Sequence, residues 1–211
     1  MRLLELFSGT GSVGNVFQER GWEVVSLDRD MPADIRCDIM DWDYAGAYPV
    51  GYFDFIWASP PCTEYSIAKS VGVRKIEESN EVVKRTLEII RHYSPRNWAM
   101  ENPQTGLLKN QDFMEPLPYN DLDYCKYGMP YRKRTRIWND IEAFVPHPLC
   151  KYDCPAMGPG ARRHMVVAQR GYNRMKDGTW EPNTNRTTDL YRIPRQLVEQ
   201  LADALAAGES A

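Results

Sequence analysis

Apolar residues come in short blocks separated by turn residues along most of this chain. The block ending in Leu6-Phe7 runs into Ser8-Gly9-Thr10-Gly11, which predicts a buried strand over Arg2–Phe7 feeding a helix at about Ser12–Arg20. Trp22–Leu27 reads as a second strand, closed by Asp28, and Phe53–Ala58 as a third, stopped by Ser59-Pro60-Pro61. Over Ile76–Tyr93 the apolar residues Val83, Leu87 and Ile90 recur at helical spacing. Asn97–Met100 is another strand, ended by Glu101-Asn102-Pro103, and weaker strands lie at Leu122–Tyr127 and Thr135–Trp138. Strands alternating with helices predict an α/β fold built on a doubly wound, mostly parallel sheet. No internal repeat is visible.

From about Ile141 to Arg186 the periodicity ends, and Pro, Gly, Cys and Arg become frequent. This predicts a small irregular lobe at 141–187. A regular helix returns over Ile193–Ala207, with Pro194 in its first turn, and Gly208–Ala211 reads as a frayed end. The main domain is then 1–140 plus 188–207. At 211 residues and 43 % apolar composition, one domain with an appended lobe can form its core without disulfides. Five scattered cysteines do not form a disulfide framework, no apolar run reaches the length of a membrane span, and the start is too short and acidic for a signal peptide. These features predict a reducing compartment, cytoplasmic or nuclear, with no membrane contact and no secretion. Charge is unevenly spread: net −8 over residues 1–125, +8 over 126–195 and −3 over 196–211. A basic segment with aromatics interspersed (Tyr127, Tyr131, Trp138, Tyr172, Trp180) suits nucleic acid, and it also suits a solvated basic face.

Four short pieces carry candidate chemistry. Gly9-Thr10-Gly11-Ser12-Val13-Gly14 has the G-x-G-x-x-G spacing between a strand and a helix, where glycines let the backbone approach an adenosine cofactor. Asp28 ends the next strand, where a carboxylate can take both ribose hydroxyls. Cys62, behind two prolines at a strand end, stands where open α/β sheets place ligand chemistry. Glu101 also sits at a strand end, and a carboxyl group in a dry pocket can deliver a proton. In Arg132-Lys133-Arg134-Thr135-Arg136, a strand would turn Arg134 and Arg136 to one side. That pair reads either as an anion grip or as a charged edge strand.

Taken together and in this order, Phe7-Ser8-Gly9-Thr10-Gly11, Ser59-Pro60-Pro61-Cys62, Glu101-Asn102-Pro103 and Arg132–Arg136 resemble the cytosine-C5 methyltransferase family. The resemblance covers most of residues 1–140 and, weakly, 188–207. It implies a Rossmann-like domain that binds S-adenosylmethionine and moves its methyl group to carbon 5 of a flipped-out cytosine in DNA. It implies Cys62 as the nucleophile at C6, Glu101 as the proton donor at N3, and Arg134 and Arg136 as the substrate grip. Phe7, Ser8, Gly9, Thr10, Gly11, Ser12, Asp28, Asp38, Ser59 and Pro60 would hold the cofactor, with Asp38 capping the adenine amino group. The chain departs from the family at Thr63-Glu64-Tyr65-Ser66, at Pro103, at Tyr131, and at Tyr191-Arg192, where a small neutral pocket wall is usual. Arg192 is therefore a further candidate at the cofactor, pointing to DNA phosphate or to a cofactor analogue carrying a carboxylate.

His147, Cys150, Cys154 and His164 form His-x2-Cys-x3-Cys-x9-His in the irregular lobe, a candidate structural zinc site with a non-standard spacing. Cys37 and Cys125 read as core residues of the sheet. The lobe is the candidate for target recognition, and the protein is expected to act as a monomer. Three rivals stay open: the same chemistry on transfer RNA, a binding module that kept the fold without catalysis, and a nicotinamide oxidoreductase.

Overall fold

A computed structural model describes residues 1–158, 162–168, 172–175, 178–182 and 187–208. The expected lobe at 141–187 falls partly outside these residues. The strands are β1 (Arg2–Leu6), β2 (Glu23–Leu27), β3 (Phe55–Ala58), β4 (Asn97–Pro103), β5 (Tyr119–Asp123) and β6 (Arg134–Asn139), joined in one sheet in the order β2-β1-β3-β4-β6-β5. β1 is parallel to β2 and β3, β3 is parallel to β4, and β6 runs antiparallel to both β4 and β5. The chain reverses direction outward from β1, so the carboxyl ends of β1, β3 and β4 open on one edge of the sheet, where such folds carry their chemistry.

Alternation along the strands sends neighbouring residues to opposite faces. Leu3, Phe55, Trp57, Ala99 and Ile137 join α1 (Gly14–Glu19) and α4 (Arg195–Gly208) in one buried cluster. Leu4, Leu6, Ile56, Ala58, Met100 and Trp138 pack against α3 (Ile76–Tyr93) on the other side. α3 buries Val83, Leu87 and Ile90 as its spacing predicts, adding Ile89 and Tyr93. Its charges agree with the helix dipole, Glu77 and Glu78 in the first turn and Arg91 and His92 in the last. The helix stops at Ser94, whose φ of 47° is left-handed and whose N–H caps Ile90 O.

Before Asp38 a single bridge joins Leu27 to Ile35. One expected strand differs. The Leu122–Tyr127 strand ends at Asp123 and continues as a 3₁₀ turn over Tyr124–Tyr127, closed by Gly128 at φ 86°. Only a glycine takes that conformation without strain, and the turn swings Tyr124 and Cys125 out of the strand register. The lobe contributes a short hairpin of β7 (Tyr172–Arg174) and β8 (Trp180–Pro182). Among the described residues, a four-residue helix, α2 (Tyr44–Ala47), and short 3₁₀ turns at Leu108–Asn110, Asp112–Met114 and Thr187–Tyr191 complete the elements. Among the described residues, no helix is long and apolar enough to cross a membrane.

Candidate active site

The glycine turn after β1 is held from two sides by carboxylates. Gly9 and Gly11 have φ of 55° and 66°, and Phe7 is left-handed at 59°, a conformation that costs a non-glycine residue roughly 1–3 kcal/mol. Gly9 N–H donates to Asp28 Oδ2 at 2.8 Å, and Asp28 Oδ1 takes the N–H groups of Asp30 and Met31. Asp28 thus clamps the turn, with one lone-pair position left for a ligand hydroxyl. From inside the sheet, Glu5 Oε2 accepts Gly14 N–H at 3.0 Å. A Cβ on Gly14 would stand 2.5 Å from that oxygen, so the third glycine of the motif makes room for the buried carboxyl. The loop borders an open cavity of about 360 Å³ lined by Glu5, Ser8, Gly9, Gly11, Ser26 and Met31, among others. Thr10 Oγ1 is buried there with no protein partner. A cradle of positive-φ glycines, a spare carboxylate position and an orphaned hydroxyl fit an adenosine cofactor.

Glu5 also sets a pH dependence. Burial pushes its carboxyl up to about 7, against the Gly14 and Val13 N–H groups that favour the anion. The folded state therefore holds this proton more tightly than the unfolded chain, and the contribution of Glu5 is lost as pH rises. Stability should fall by roughly 3 kcal/mol between about pH 4.5 and 7. Denaturant midpoints for the wild type and Glu5→Gln over that range check it. The variant keeps one acceptor for Gly14 and should flatten the profile; a profile of unchanged slope would assign the effect elsewhere.

Cys62, Glu101 and Lys133 gather where β3 and β4 end. The Ser59–Cys62 loop leaves β3 with Ser59 N–H on Leu6 O, and Ser59 Oγ accepts Trp57 Nε1–H at 2.9 Å. Fully buried Asn102 donates from Nδ2 to Pro60 O at 2.9 Å and ties the loop to β4. Its neighbour Glu101 points to the other face, buried, with Oε1 3.0 Å from Tyr124 OH and 3.3 Å from Lys133 Nζ. Burial, and then the Glu101 charge, hold the Tyr124 phenol well above its usual range, so it stays a donor. Lys133 Nζ also donates to Leu190 O at 3.2 Å and lies 4.9 Å over the Tyr124 ring. Burial raises the Cys62 thiol, the Glu101 charge raises it further, and Lys133 opposes both. All three groups are thus within electrostatic reach of one another.

The arginine pair lies elsewhere. Glu101 pairs with Ile137 across the ladder, which puts Thr135 and Lys133 on its face and Arg134 and Arg136 on the opposite one. Arg134 is bidentate on Asp123 (3.1 and 2.8 Å), and Arg136 is bidentate on Asp121 (2.7 and 2.9 Å) and stacked 3.4 Å over Tyr119. The expected grip of Arg134 and Arg136 at the reacting base does not fit this placement, because both forks are filled by carboxylates across β5. Lys133 stands at Glu101 instead. Strand alternation separates Lys133 from Arg134 and Arg136 but does not say which face meets Glu101.

The remaining candidates divide similarly. Ser8 and Ser12 line the loop, with Ser12 Oγ taking Ile193 N–H at 3.1 Å, so the final segment does return to the glycine turn. Arg192 is largely exposed and 3.9 Å from Asp189. Asp38 accepts Met40 N–H and pairs with Arg29 at 3.2 Å. In the lobe, Cys150, Cys154 and His164 come together, but His147 does not join them. Its ring stacks on Tyr127, centroids 4.6 Å apart, with Nδ1 3.0 Å from Lys126 O. The fourth member is Cys125, brought there by the 3₁₀ turn that replaced the expected strand. Cys125 is therefore not a core residue of the sheet.

No protein-family model matches the chain. It is 35 % identical over 222 residues to the Probable DNA (cytosine-5)-methyltransferase of Frog virus 3 (isolate Goorha), covering 96 % of this chain and 99 % of that protein. Among solved structures it resembles a DNA modification methyltransferase encoded within a prophage of E. coli, with TM-score 0.51 and 14 % identity over 97 % of this chain and 69 % of the other. That likeness speaks for the fold alone, a mostly parallel α/β sheet of Rossmann type. The near full-length identity speaks for more, and with it the chain belongs to the DNA (cytosine-5)-methyltransferase family.

Proposed function

We propose that this protein methylates carbon 5 of cytosine in DNA, with Cys62 as the nucleophile and Glu101 as the proton donor at N3. The observation that carries the reading is the meeting of Cys62, Glu101 and Lys133 at the ends of neighbouring strands. S-adenosylmethionine, held by the Phe7–Ser12 turn, Asp28 and the Asp38 loop, supplies an electrophilic methyl group when bound.

Cytosine is a poor acceptor until N3 is protonated. In the resting site Cys62 is a thiol and Glu101 is paired with Lys133, so the proton that sulfur must lose matches the one that N3 must gain. Moving it through Glu101 to N3 leaves a thiolate facing a cationic ring, and the sulfur–C6 bond forms as the C5=C6 electrons move to C5. Lys133 offsets negative charge at the sulfur and at Glu101 in turn. Tyr124 and Lys133 fix the carboxyl from one side, and Asn102 fixes the loop carrying Cys62 from the other. After C5 has been alkylated, loss of its proton to solvent expels sulfur from C6 and restores the double bond, and the N3 proton returns through Glu101 to the sulfur. The target base must leave the duplex to reach a buried carboxyl. The exposed Arg132, Lys151, Arg162 and Arg163 offer phosphate contacts for that purpose.

DNA carrying 5-fluorocytosine tests the assignment. Fluorine cannot leave as a cation, so the protein should be trapped on DNA in the presence of S-adenosylmethionine. Peptide mapping should find the adduct on Cys62, and an adduct on another cysteine would end this reading.

A further inference from the structure

Four ligand atoms meet away from the transfer site. The sulfurs of Cys125, Cys150 and Cys154 and a ring nitrogen of His164 all lie within 4.8 Å of one another. His164 Nε2 is 3.2 Å from Cys154 Sγ and 3.5 Å from Cys150 Sγ. A tetrahedral zinc with bonds of about 2.3 Å to sulfur and 2.05 Å to nitrogen spaces its ligands at about 3.5–3.8 Å. Among the described residues, the three cysteines are buried free thiols that cluster with Ala156, and the partly buried Met157 packs against them.

The backbone around them is shaped for the purpose. Tyr152 adopts φ 65° and turns the chain so that the N–H groups of Tyr152 and Asp153 reach the Cys150 sulfur, while Ala156 N–H reaches that of Cys154. Donors of this kind suit thiolate ligands. A bridge between Met157 and His164, with Met165 N–H on Ala156 O at 3.0 Å, folds the imidazole back over the sulfurs. Three thiolates and a neutral imidazole around a divalent ion leave one negative charge, and Lys126, paired with Asp153 at 2.7 Å, stands beside it.

We propose that Cys125, Cys150, Cys154 and His164 hold a structural zinc ion that ties the basic lobe to the edge of the catalytic sheet. Three sulfurs and one nitrogen favour zinc among the common divalent ions, and four protein ligands leave no open position for substrate. The ligands come from two places. Cys125 follows Tyr124, whose hydroxyl reaches Glu101, and Cys150 N–H donates to Asp123 Oδ2 at 2.9 Å, the carboxylate that holds Arg134. The ion therefore joins an irregular segment, poor in apolar residues, to the turn that positions the Glu101 environment. In so small a lobe a metal does what a hydrophobic core does elsewhere.

Metal analysis of the full chain, purified without chelator, should find about one zinc per molecule. Cobalt substitution should give the intense visible bands and thiolate charge-transfer absorption of a tetrahedral site with three sulfur ligands and one nitrogen, a readout that needs no variant to fold. Cys125→Ser should lower zinc retention at least tenfold, whereas His147→Ala should keep one equivalent. Removing the metal with a chelator should raise amide exchange in the lobe while S-adenosylmethionine affinity stays within about threefold. Absence of zinc, an octahedral cobalt spectrum, or loss of zinc in His147→Ala with retention in Cys125→Ser would overturn the assignment. Unchanged amide exchange after metal removal would overturn the stapling role.

Discussion

Cys62→Ser is expected to leave no measurable methyl transfer while S-adenosylmethionine affinity stays within about threefold. In the proposed chemistry the thiol supplies a covalent bond to C6, and a serine hydroxyl at neutral pH supplies almost no anion for that attack. The cofactor cradle is made of other groups, the glycine turn clamped by Asp28 and Glu5, and Cys62 takes no part in those hydrogen bonds. Single-turnover transfer and calorimetric cofactor binding on the same preparation separate the two effects. Retained turnover would remove the nucleophile assignment, and a large loss of cofactor affinity would mean that the loop, not the thiol, had been damaged.

The second large effect belongs to the Glu101–Lys133 pair. Glu101→Gln keeps a hydrogen-bonding group near N3 but cannot carry the proton, and a rate loss of about 10²-fold or more is expected, the usual scale for general acid catalysis. Lys133→Met removes the cation that lowers the Cys62 thiol, so the pH at which transfer reaches half its maximum should move upward. Arg134→Met provides the contrast. It frees Asp123, a buried carboxylate, and should cost stability without moving that pH midpoint. Should Arg134→Met shift the pH profile and Lys133→Met leave it still, the assignment of the two faces of β6 would be wrong.

The sheet was legible because each parallel strand is a short apolar block ended by a turn signal, as at Ser8-Gly9 and Ser59-Pro60. The placement of Cys62 and Glu101 at strand ends was legible for the same reason, and strand ends are where such folds carry their chemistry. Lys133 was harder to see because alternation says that Arg134 and Arg136 share a face but not which face. That choice is made by the pairing of Glu101 with Ile137, a long-range fact. Cys125 was misread because Leu122–Tyr127 is apolar enough for a strand. The turn at Tyr124 depends on Gly128, which was visible, and on a sulfur cluster assembled from residues 25 and more positions away, which was not. In the sequence Glu5 is one polar residue in an apolar strand. Its buried contact with Gly14 appears only once α1 is folded onto β1.

Incubation with unmethylated duplex DNA and methyl-labelled S-adenosylmethionine, followed by nucleoside mass spectrometry, tests the central claim most directly. The proposed chemistry requires label in 5-methyldeoxycytidine, absent when Cys62→Ser replaces the wild type and absent from deoxyadenosine. Label on an adenine, on cytosine N4, or only in transfer RNA offered alongside the DNA would contradict it.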